Sequence, residues 1–322
     1  MVCAQRETIQ IPIKVLILPK FTIDTADGAF PDEAKLYYET FCAGGTAYEI
    51  RGSYGGNRLY LKNGVALYAT GVGKVNAAMS LHAVLTDPRF DCSNTYIIST
   101  GCAGSARDTT VMGDVVLVTA AVDGDLGYRA DARDLADAAG TTWFREPKYD
   151  DTAVKILNPA LMERVYQLVR DLPLQTTENT RKFMARAFDN AAWALRDPKV
   201  LRGTTVTSDT YWKGEYDHRN SLLMTETYAC PDPFAVSEME DAALAVVLDR
   251  MGMLQRMIIL RVSVNMDVFM NGATPEQLWN RSFFEGLESD SNPEVLDIFG
   301  PAMQNNFRVG SEIICAILEN RL

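Results

Sequence analysis

Residues 237–243 hold two acidic side chains around a methionine, followed by small residues. A carboxylate accepts two hydrogen bonds at once, so Glu238 and Glu240 are predicted to bind the vicinal hydroxyls of a sugar. Met239 offers a soft, polarisable surface to a sugar or a base. The alternative interpretation is a charged first turn of a helix, which the helix dipole favours.

A second segment, 258–264, has the residue types of a buried strand and is followed by Asn265 and Asp267. A departing purine needs a hydrogen-bond donor or an acid near N7. Asn265 can hydrogen-bond that edge and Asp267 can protonate it, so both are predicted to be catalytic. Arg261, inside the run, is predicted to form an internal salt bridge. Together the two segments predict a nucleoside-type ligand.

The small residues at 100–104 come directly after a strand-like run at 96–99. Ligands of open α/β sheets bind at the carboxyl ends of strands. Small residues leave room there, so Cys102, Ala103 and Gly104 are predicted to line the substrate site. A nucleophilic role for Cys102 is the less favoured interpretation, because a cysteine in an apolar run is usually a packing residue.

Two adjacent aromatic residues, Tyr211 and Trp212, follow a short predicted strand at 204–207. Aromatic rings at a strand end can stack on a flat heterocycle, so both are predicted to bind substrate. Packing in the core is the open alternative.

A glycine loop at 71–74 precedes a predicted helix. Glycines let the main chain approach a ligand, and a helix N-terminus attracts anions. The spacing matches neither a P-loop nor a dinucleotide-binding fingerprint. A tight strand-to-helix turn is therefore the alternative interpretation.

The chain is long and acidic. Its 322 residues are 47% hydrophobic, which suffices for a large core. It has 31 basic and 42 acidic residues, for a net charge of −11. That charge repels phosphate backbones, so no nucleic-acid partner is expected, although a local pocket can still bind a small anion.

The cysteines and histidines give no metal-binding pattern. Six cysteines are scattered without a C-x-x-C pair, and there are two histidines. We therefore expect no metal site and reduced thiols. No apolar run approaches the roughly 18–20 residues that cross a bilayer, and residues 1–10 do not resemble a leader. A cytoplasmic location is expected, with a periplasmic or secreted one left open if a leader has been removed.

Strand and helix patterns alternate along the chain, which predicts an α/β fold with a buried sheet. Residues from about 130 to 200 interrupt this pattern and are predicted to be a helical insertion within a single domain, 1–322. The predicted strands are 9–18, 96–99, 115–122, 204–207 and 257–264, with a hairpin at 58–69 that turns at Asn63-Gly64. The predicted helices are 30–41, 77–85, 235–251 (ending at Gly252) and 307–318.

The order of these segments resembles the nucleoside phosphorylase and nucleosidase superfamily. The pattern is G-x-G-K-V-x-A-A, T-G-x-A-G-x(8)-G-D, S-D-x-x-W, E-M-E-x-A-A and R-x-x-x-N. The insertion, the Tyr-Trp pair and the Asn-Met-Asp ending are more similar to one branch, the purine nucleoside permease (NUP) family. The resemblance implies a three-layer fold, with a central mixed β-sheet flanked by helices, and a homo-oligomer.

The resemblance also implies site roles. Glu240 would bind the ribose 2′- and 3′-hydroxyls with Met239 against the sugar, and Tyr211 would lie over the base. Residues 102–104 would line the site near the anomeric carbon. Asn265 stands where nucleosidases have a catalytic aspartate and some phosphorylases an asparagine, which favours hydrogen bonding of a purine over strong proton donation.

The phosphate site is the least defined part of the resemblance. Hexameric phosphorylases carry an arginine where this chain has Ser99. Arg129 or Lys74 can substitute for it, and the sequence fixes neither. Inorganic phosphate therefore stays open as a co-substrate, and no other cofactor is expected.

The function predicted on this basis is binding of a purine nucleoside (adenosine, inosine or guanosine) and cleavage of its N-glycosidic bond by phosphate or water. The enzyme would be a pentosyl transferase (a glycosyltransferase) or a hydrolase. The main alternative is a nucleoside-binding protein for uptake or transport, without catalysis. A storage or interaction protein that has lost the chemistry is a third.

Overall fold

The computed structural model describes residues 10–21, 33–131, 141–272 and 293–322. Its strands are β1 (Ile11–Pro12), β2 (Val15–Leu18), β3 (Thr46–Glu49), β4 (Arg58–Lys62), β5 (Val65–Leu67), β6 (Phe90–Asp91), β7 (Tyr96–Ser105), β8 (Val115–Asp123), β9 (Tyr128–Arg129), β10 (Trp143–Phe144), β11 (Val154–Ile156), β12 (Val200–Thr207), β13 (Phe234–Glu238) and β14 (Met257–Met266). Its α-helices are α1 (Lys35–Tyr37), α2 (Lys74–Leu85), α3 (Asp150–Ala153), α4 (Pro159–Val169), α5 (Glu178–Ala187), α6 (Glu215–Thr227), α7 (Asp241–Arg250) and α8 (Pro293–Leu318). A π-helical turn, Tyr38–Cys42, continues α1, and 3₁₀ turns lie at Tyr54–Gly56, Pro147–Tyr149, Ala192–Leu195 and Leu254–Arg256.

The main sheet is mixed, with strand order β11-β8-β12-β13-β7-β2-β5-β4-β3. Strand β14 pairs in parallel with β7 and antiparallel with β8. Because β8 pairs with β12, β12 with β13 and β13 with β7, these strands and β14 close into a ring. Helices α7 and α8 pack against the sheet, which confirms the predicted α/β fold with a central mixed sheet.

The central strands are covered on both faces. All residues of β2 and β8 are buried, and β14 is buried except at Asn265. Continuous burial explains why these strands are rich in apolar residues and do not alternate with polar ones. The predicted strands at 115–122 and 257–264 are therefore confirmed, and 9–18 forms β1 and β2, with residue 9 outside the described part.

The predicted hairpin is confirmed. Strands β4 and β5 are antiparallel, with Lys62 opposite Val65. Asn63 has φ 51° and Gly64 φ 79°. A two-residue turn with both φ values positive matches the right-handed twist of the flanking strands.

The prediction of one helix at 235–251 is wrong in its first part. Residues 234–238 are strand β13, which pairs with β12 and β7, and the helix begins at Asp241. A short apolar run does not by itself distinguish a strand from a helix, and the pairing with two neighbours decides here. The predicted end is confirmed: Gly252 has φ 69°, and the N–H of Met253 donates to Leu248 O over 2.7 Å.

Other boundaries also differ from the sequence prediction; the helix predicted at 307–318, for example, is α8 and begins at Pro293. The stretch 100–104 does not follow a strand but belongs to β7, because β7 keeps its pairing with β14 as far as Ser105. The helix predicted at 30–41 is α1 and the π-helical turn that follows it, and residues 30–32 lie outside the described part.

The insertion is helical as predicted, with α3, α4 and α5, although residues 132–140 are not described. It also contributes β11, which pairs antiparallel with residues 120–122 of β8. Phe183 and Met184 of α5 pack in a cluster with Met266 and Val268. The insertion thus supports the carboxyl end of β14, where the predicted catalytic residues lie.

Candidate functional site

Arg261 of β14 is the centre of a buried charge cluster. Its side chain is 1% exposed. Nε donates to Asp241 Oδ2 over 2.7 Å, and Nη2 donates to Glu238 Oε2 over 3.0 Å and to Glu240 Oε2 over 3.1 Å. Nη1 donates to Cys102 O over 3.0 Å. A buried guanidinium requires such partners, so the predicted internal salt bridge is confirmed, and it ties β7, β13 and β14 together.

Glu238 lies at the end of β13 with protein donors on both carboxylate oxygens. Oε2 accepts the main-chain N–H groups of Glu240 over 2.6 Å and of Asp241 over 2.8 Å. Oε1 accepts the hydroxyls of Thr205 and Thr207. Burial, with the nearby charge of Asp241, raises the pKa of Glu238 to about 7. These contacts indicate that Glu238 fixes the turn between β13 and α7.

Glu240 occupies that turn and directs its carboxylate to a different part of the fold. Oε1 accepts the N–H of Gly73 over 3.0 Å, while Oε2 faces Arg261. Burial raises the pKa of Glu240, against the opposing effect of Arg261. Its neighbour Met239 is half-buried. The glycine loop and the acidic segment, distant in sequence, therefore meet.

The glycine loop itself is held by carboxylates. Gly73 has φ +90°, and the N–H of Lys74 donates to Asp209 Oδ1 over 2.7 Å. Lys74 Nζ lies 2.8 Å from both Asp123 Oδ1 and Asp125 Oδ2. The predicted turn between a strand and a helix is thus present, and its lysine is paired with two acidic side chains.

The ends of β7, β13 and β14 approach closely at Gly104. This residue is opposite Asn265 in the β7–β14 pairing. A Cβ at position 104 would lie 2.8 Å from Ser237 Oγ and 3.7 Å from Asn265 Nδ2. A side chain at position 104 would therefore require Ser237 Oγ to move, and Asn265, which is half-buried, is close to the 102–104 segment.

Glu33 is a buried acid that the sequence analysis missed. Its Oε1 accepts the N–H of Cys102 over 2.7 Å and its Oε2 accepts the N–H of Lys20 over 2.7 Å. A Cβ at Gly101 would clash with Glu33 Oε1. Burial, with the nearby charge of Glu33, raises the pKa of the Cys102 thiol well above its usual value, which opposes a nucleophilic role.

Lys20 is a buried cation that the sequence also did not reveal. Its Nζ donates to Ser99 Oγ over 2.7 Å and to Leu18 O over 2.7 Å. Ser99 Oγ in turn donates to Asp241 Oδ1 over 2.5 Å. Burial lowers the pKa of Lys20, and Arg261 lowers it further. Ser99 is thus part of the same cluster as Arg261.

Asp267 follows β14 and contacts His218, which the sequence analysis had not selected. Asp267 is 1% exposed, and its Oδ2 lies 2.7 Å from His218 Nδ1. His218 Nε2 lies 2.9 Å from Asp108 Oδ2. Among the described residues, Asp267 Oδ1 has no hydrogen-bond partner. The only sequence signal was the rarity of histidine in this chain.

The two aromatic residues have different surroundings. Trp212 is half-buried and packs near Phe234, with ring centroids 6.5 Å apart. Tyr211 is 66% exposed. Trp212 therefore has the position of a core residue, while Tyr211 lies at the surface. Arg129, considered for a phosphate site, is 45% exposed and pairs with Asp217 over 3.0 Å.

Comparison with solved structures defines the class of fold. A 5′-methylthioadenosine/S-adenosylhomocysteine nucleosidase of Neisseria meningitidis superposes with a TM-score of 0.53 at 20% identity, covering 94% of this chain and 98% of the other. The corresponding nucleosidase of Streptococcus pneumoniae superposes with a TM-score of 0.54 at 15% identity, covering 94% and 99%. The fold is that of the nucleoside phosphorylase and nucleosidase superfamily.

The chain belongs to the purine nucleoside permease (NUP) family, whose sequence profile matches residues 12–321. A probable purine nucleoside permease of Schizosaccharomyces pombe is 26% identical over 241 residues, which are 66% of this chain and 68% of that protein. The purine nucleoside permease of Candida albicans is 30% identical over 200 residues, which are 56% of this chain and 48% of that protein. In the described residues, no helix has the length and hydrophobicity of a membrane span.

Proposed function

We propose that this protein binds a purine nucleoside and cleaves its N-glycosidic bond. One observation carries the proposal: Glu240 and Asn265 are both linked to the 102–104 segment of β7, a strand of the ring formed by β7, β8, β12, β13 and β14. Arg261 joins Glu240 to the main chain of Cys102, and Asn265 is opposite Gly104 in β7. A carboxylate suited to a diol and an amide suited to a base edge are thus linked through one short segment.

The proposed roles follow from this arrangement. Glu240 accepts the ribose hydroxyls, with Met239 against the sugar and the 102–104 segment near the anomeric carbon. Asn265 hydrogen-bonds the base, and Asp267 supplies the proton to the departing purine. The relatives named as permeases and nucleosidases support a purine nucleoside as the ligand.

Glu238, Tyr211 and Trp212 receive narrower roles than those expected from sequence. Glu238 accepts at least two protein hydrogen bonds on each oxygen, whereas Glu240 accepts one on each, so we propose that Glu238 positions Glu240 and does not contact the sugar. Tyr211 is proposed to cover the base from the surface, and Trp212 to support it from the core.

The charges of the site favour water over phosphate as the second substrate. Among the described residues, Lys20, Lys74 and Arg261 are each engaged by carboxylates, carbonyls or hydroxyls. The carboxylates around them are more numerous: Glu33, Asp123, Asp125, Asp209, Glu238, Glu240 and Asp241. This surplus stabilises a ribosyl group that gains positive charge in the transition state, and it disfavours a phosphate dianion.

The test is release of free base from inosine, adenosine and guanosine, each with and without phosphate. We expect release in both conditions, with ribose as the second product. Release that requires phosphate and yields ribose 1-phosphate would identify a phosphorylase. Tight nucleoside binding without release under either condition would instead support the alternative, a nucleoside-binding role without catalysis.

A further inference from the structure

His218 is a buried histidine held between two carboxylates, and the proposed roles above do not use it. Its side chain is 1% exposed. Nδ1 contacts Asp267 Oδ2 at 2.7 Å, and Nε2 contacts Asp108 Oδ2 at 2.9 Å. The ring also packs against Phe234, with centroids 5.9 Å apart. Both ring nitrogens therefore have a hydrogen-bond partner, and the ring has a fixed orientation.

The main chain builds this contact. The N–H of Gly214, just before α6, donates to Asp267 O over 2.8 Å. The N–H of His218 donates to Gly214 O over 3.0 Å, so His218 is one helical turn from the attachment point. The N–H of Asp267 donates to Ser105 O over 3.0 Å. Helix α6 and the β7–β14 ladder thus hold the two side chains together.

The second oxygen of Asp267 is the unusual feature. Oδ1 is buried and makes no hydrogen bond of standard geometry among the described residues, although the main-chain N–H of Arg107 is near the carboxylate and helps to lower its pKa. A buried polar atom without a partner costs free energy unless a ligand satisfies it. Strand β14 ends at Met266, and the N–H of Asp267 donates to Ser105 O, so Asp267 directly follows the end of the β7–β14 pairing, two residues after Asn265. Oδ1 is therefore an unpaired polar atom close along the chain to Asn265, which is proposed to bind the base.

We propose that His218 is the positioning residue for Asp267, binding one carboxylate oxygen so that the other, Oδ1, is directed to the purine. The inference rests on the proposed function, because it assigns Oδ1 to the departing base. In the step, the C1′–N9 bond breaks and its electron pair leaves with the base. The proton on Oδ1 passes to the purine, and water forms the new bond to C1′ and releases a proton.

The charges around the pair determine its response to pH. Burial raises the pKa of Asp267, and His218 opposes that shift. Burial works against a charged His218, but Asp267 and Asp108 outweigh it and raise the pKa of the imidazole. Arg107 and Glu215 are the other charged groups nearby; they pair with each other, and Arg107 Nε is 3.7 Å from Asp108 Oδ1.

The test compares three variants of the full chain by their pH profiles of kcat. His218→Asn keeps a donor near the Nδ1 position and removes the charge. His218→Leu removes both, and Asp108→Asn removes the carboxylate beyond the ring. Because Asp267 acts in its protonated form, activity falls as pH rises through its pKa. Loss of the cation raises that pKa, so the alkaline limb of His218→Asn should move up by about 1–2 pH units.

Asp108→Asn should move the limb in the same direction by a smaller amount. The kcat of His218→Leu should fall about 10- to 100-fold below that of His218→Asn, since only Leu loses the orientation of the carboxylate. Circular dichroism and thermal melting verify that each variant is folded. If His218→Asn is folded and active but the alkaline limb of its pH profile is unshifted, the inference is overturned. Equal kcat values for His218→Asn and His218→Leu also overturn it. A wild-type protein that releases no base refutes the proposed function itself, and the inference with it.

Discussion

Arg261 and Glu240 form a buried ion pair, with Nη2 and Oε2 3.1 Å apart and both side chains at most 3% exposed. The remaining oxygen of Glu240 accepts the N–H of Gly73. The carboxylate is thus fixed between a strand of the ring and the loop that begins α2. Such a fixed acceptor loses little conformational entropy when it binds a hydroxyl pair.

The first prediction concerns the sugar contact. Glu240→Gln should weaken binding of inosine about 10- to 100-fold, because a hydrogen bond to a charged acceptor contributes about 1.5–3 kcal/mol. Isothermal titration with inosine and with 2′,3′-dideoxyinosine measures it. Wild type should prefer inosine, and the variant should bind both alike. A preference retained by Glu240→Gln would contradict the assignment of the diol to this residue.

The second prediction concerns stability. Arg261→Met should lower the free energy of unfolding by about 3–5 kcal/mol, since it leaves buried carboxylates without their cation. The matched control is Arg58→Met, whose exposed pair with Glu49 should contribute less than about 1 kcal/mol. Urea denaturation of both variants provides the comparison. Equal losses of unfolding free energy in the two variants would mean that the buried cluster does not depend on the Arg261 guanidinium.

The third prediction concerns the pH dependence of stability. The pKa of Glu238 is about 7 in the folded protein, above its ordinary value of 4.5. Between these values the folded state keeps a proton that the unfolded state has lost, so this residue's contribution to stability declines as pH rises. In Glu238→Gln that decline is absent. We therefore expect the difference in unfolding free energy, Glu238→Gln minus wild type, to increase by on the order of 1–3 kcal/mol between pH 4.5 and pH 7. A constant difference across that range would show that Glu238 does not hold the proton.

The fourth prediction concerns Cys102. Burial raises the pKa of its thiol, so little thiolate is present at neutral pH. Cys102 should therefore react slowly with iodoacetamide, and Cys102→Ala should keep its kcat for nucleoside cleavage within a factor of about 3. The exact sites of labelling can be read by peptide mass spectrometry. Loss of activity in a folded Cys102→Ala protein would reopen the nucleophile interpretation.

Much of the framework could be predicted because its signals are local. The Asn63-Gly64 turn requires positive φ, and the largely apolar run of β8 indicates a strand covered on both faces. The internal pairing of Arg261 follows from a charge inside a buried strand. These features depend on residue type and near neighbours, which the sequence displays directly.

The parts that could not be predicted depend on contacts between distant residues. Glu33 binds Cys102 across 69 positions, and His218 binds Asp267 across 49. No spacing rule connects such pairs. The segment 234–238 was predicted wrongly for a different reason. Its short apolar run is compatible with a helix or a strand, and only its pairing with β12 and β7 makes it a strand.

The small strand β11 has a consequence for attempts to shorten this protein. It covers residues 120–122 of β8, a stretch that β14 does not reach. A version lacking the helical insertion would leave main-chain N–H and C=O groups of β8 open to pairing with another molecule. Removal of the insertion would thus expose this part of β8 as an edge strand, and we expect the shortened protein to aggregate.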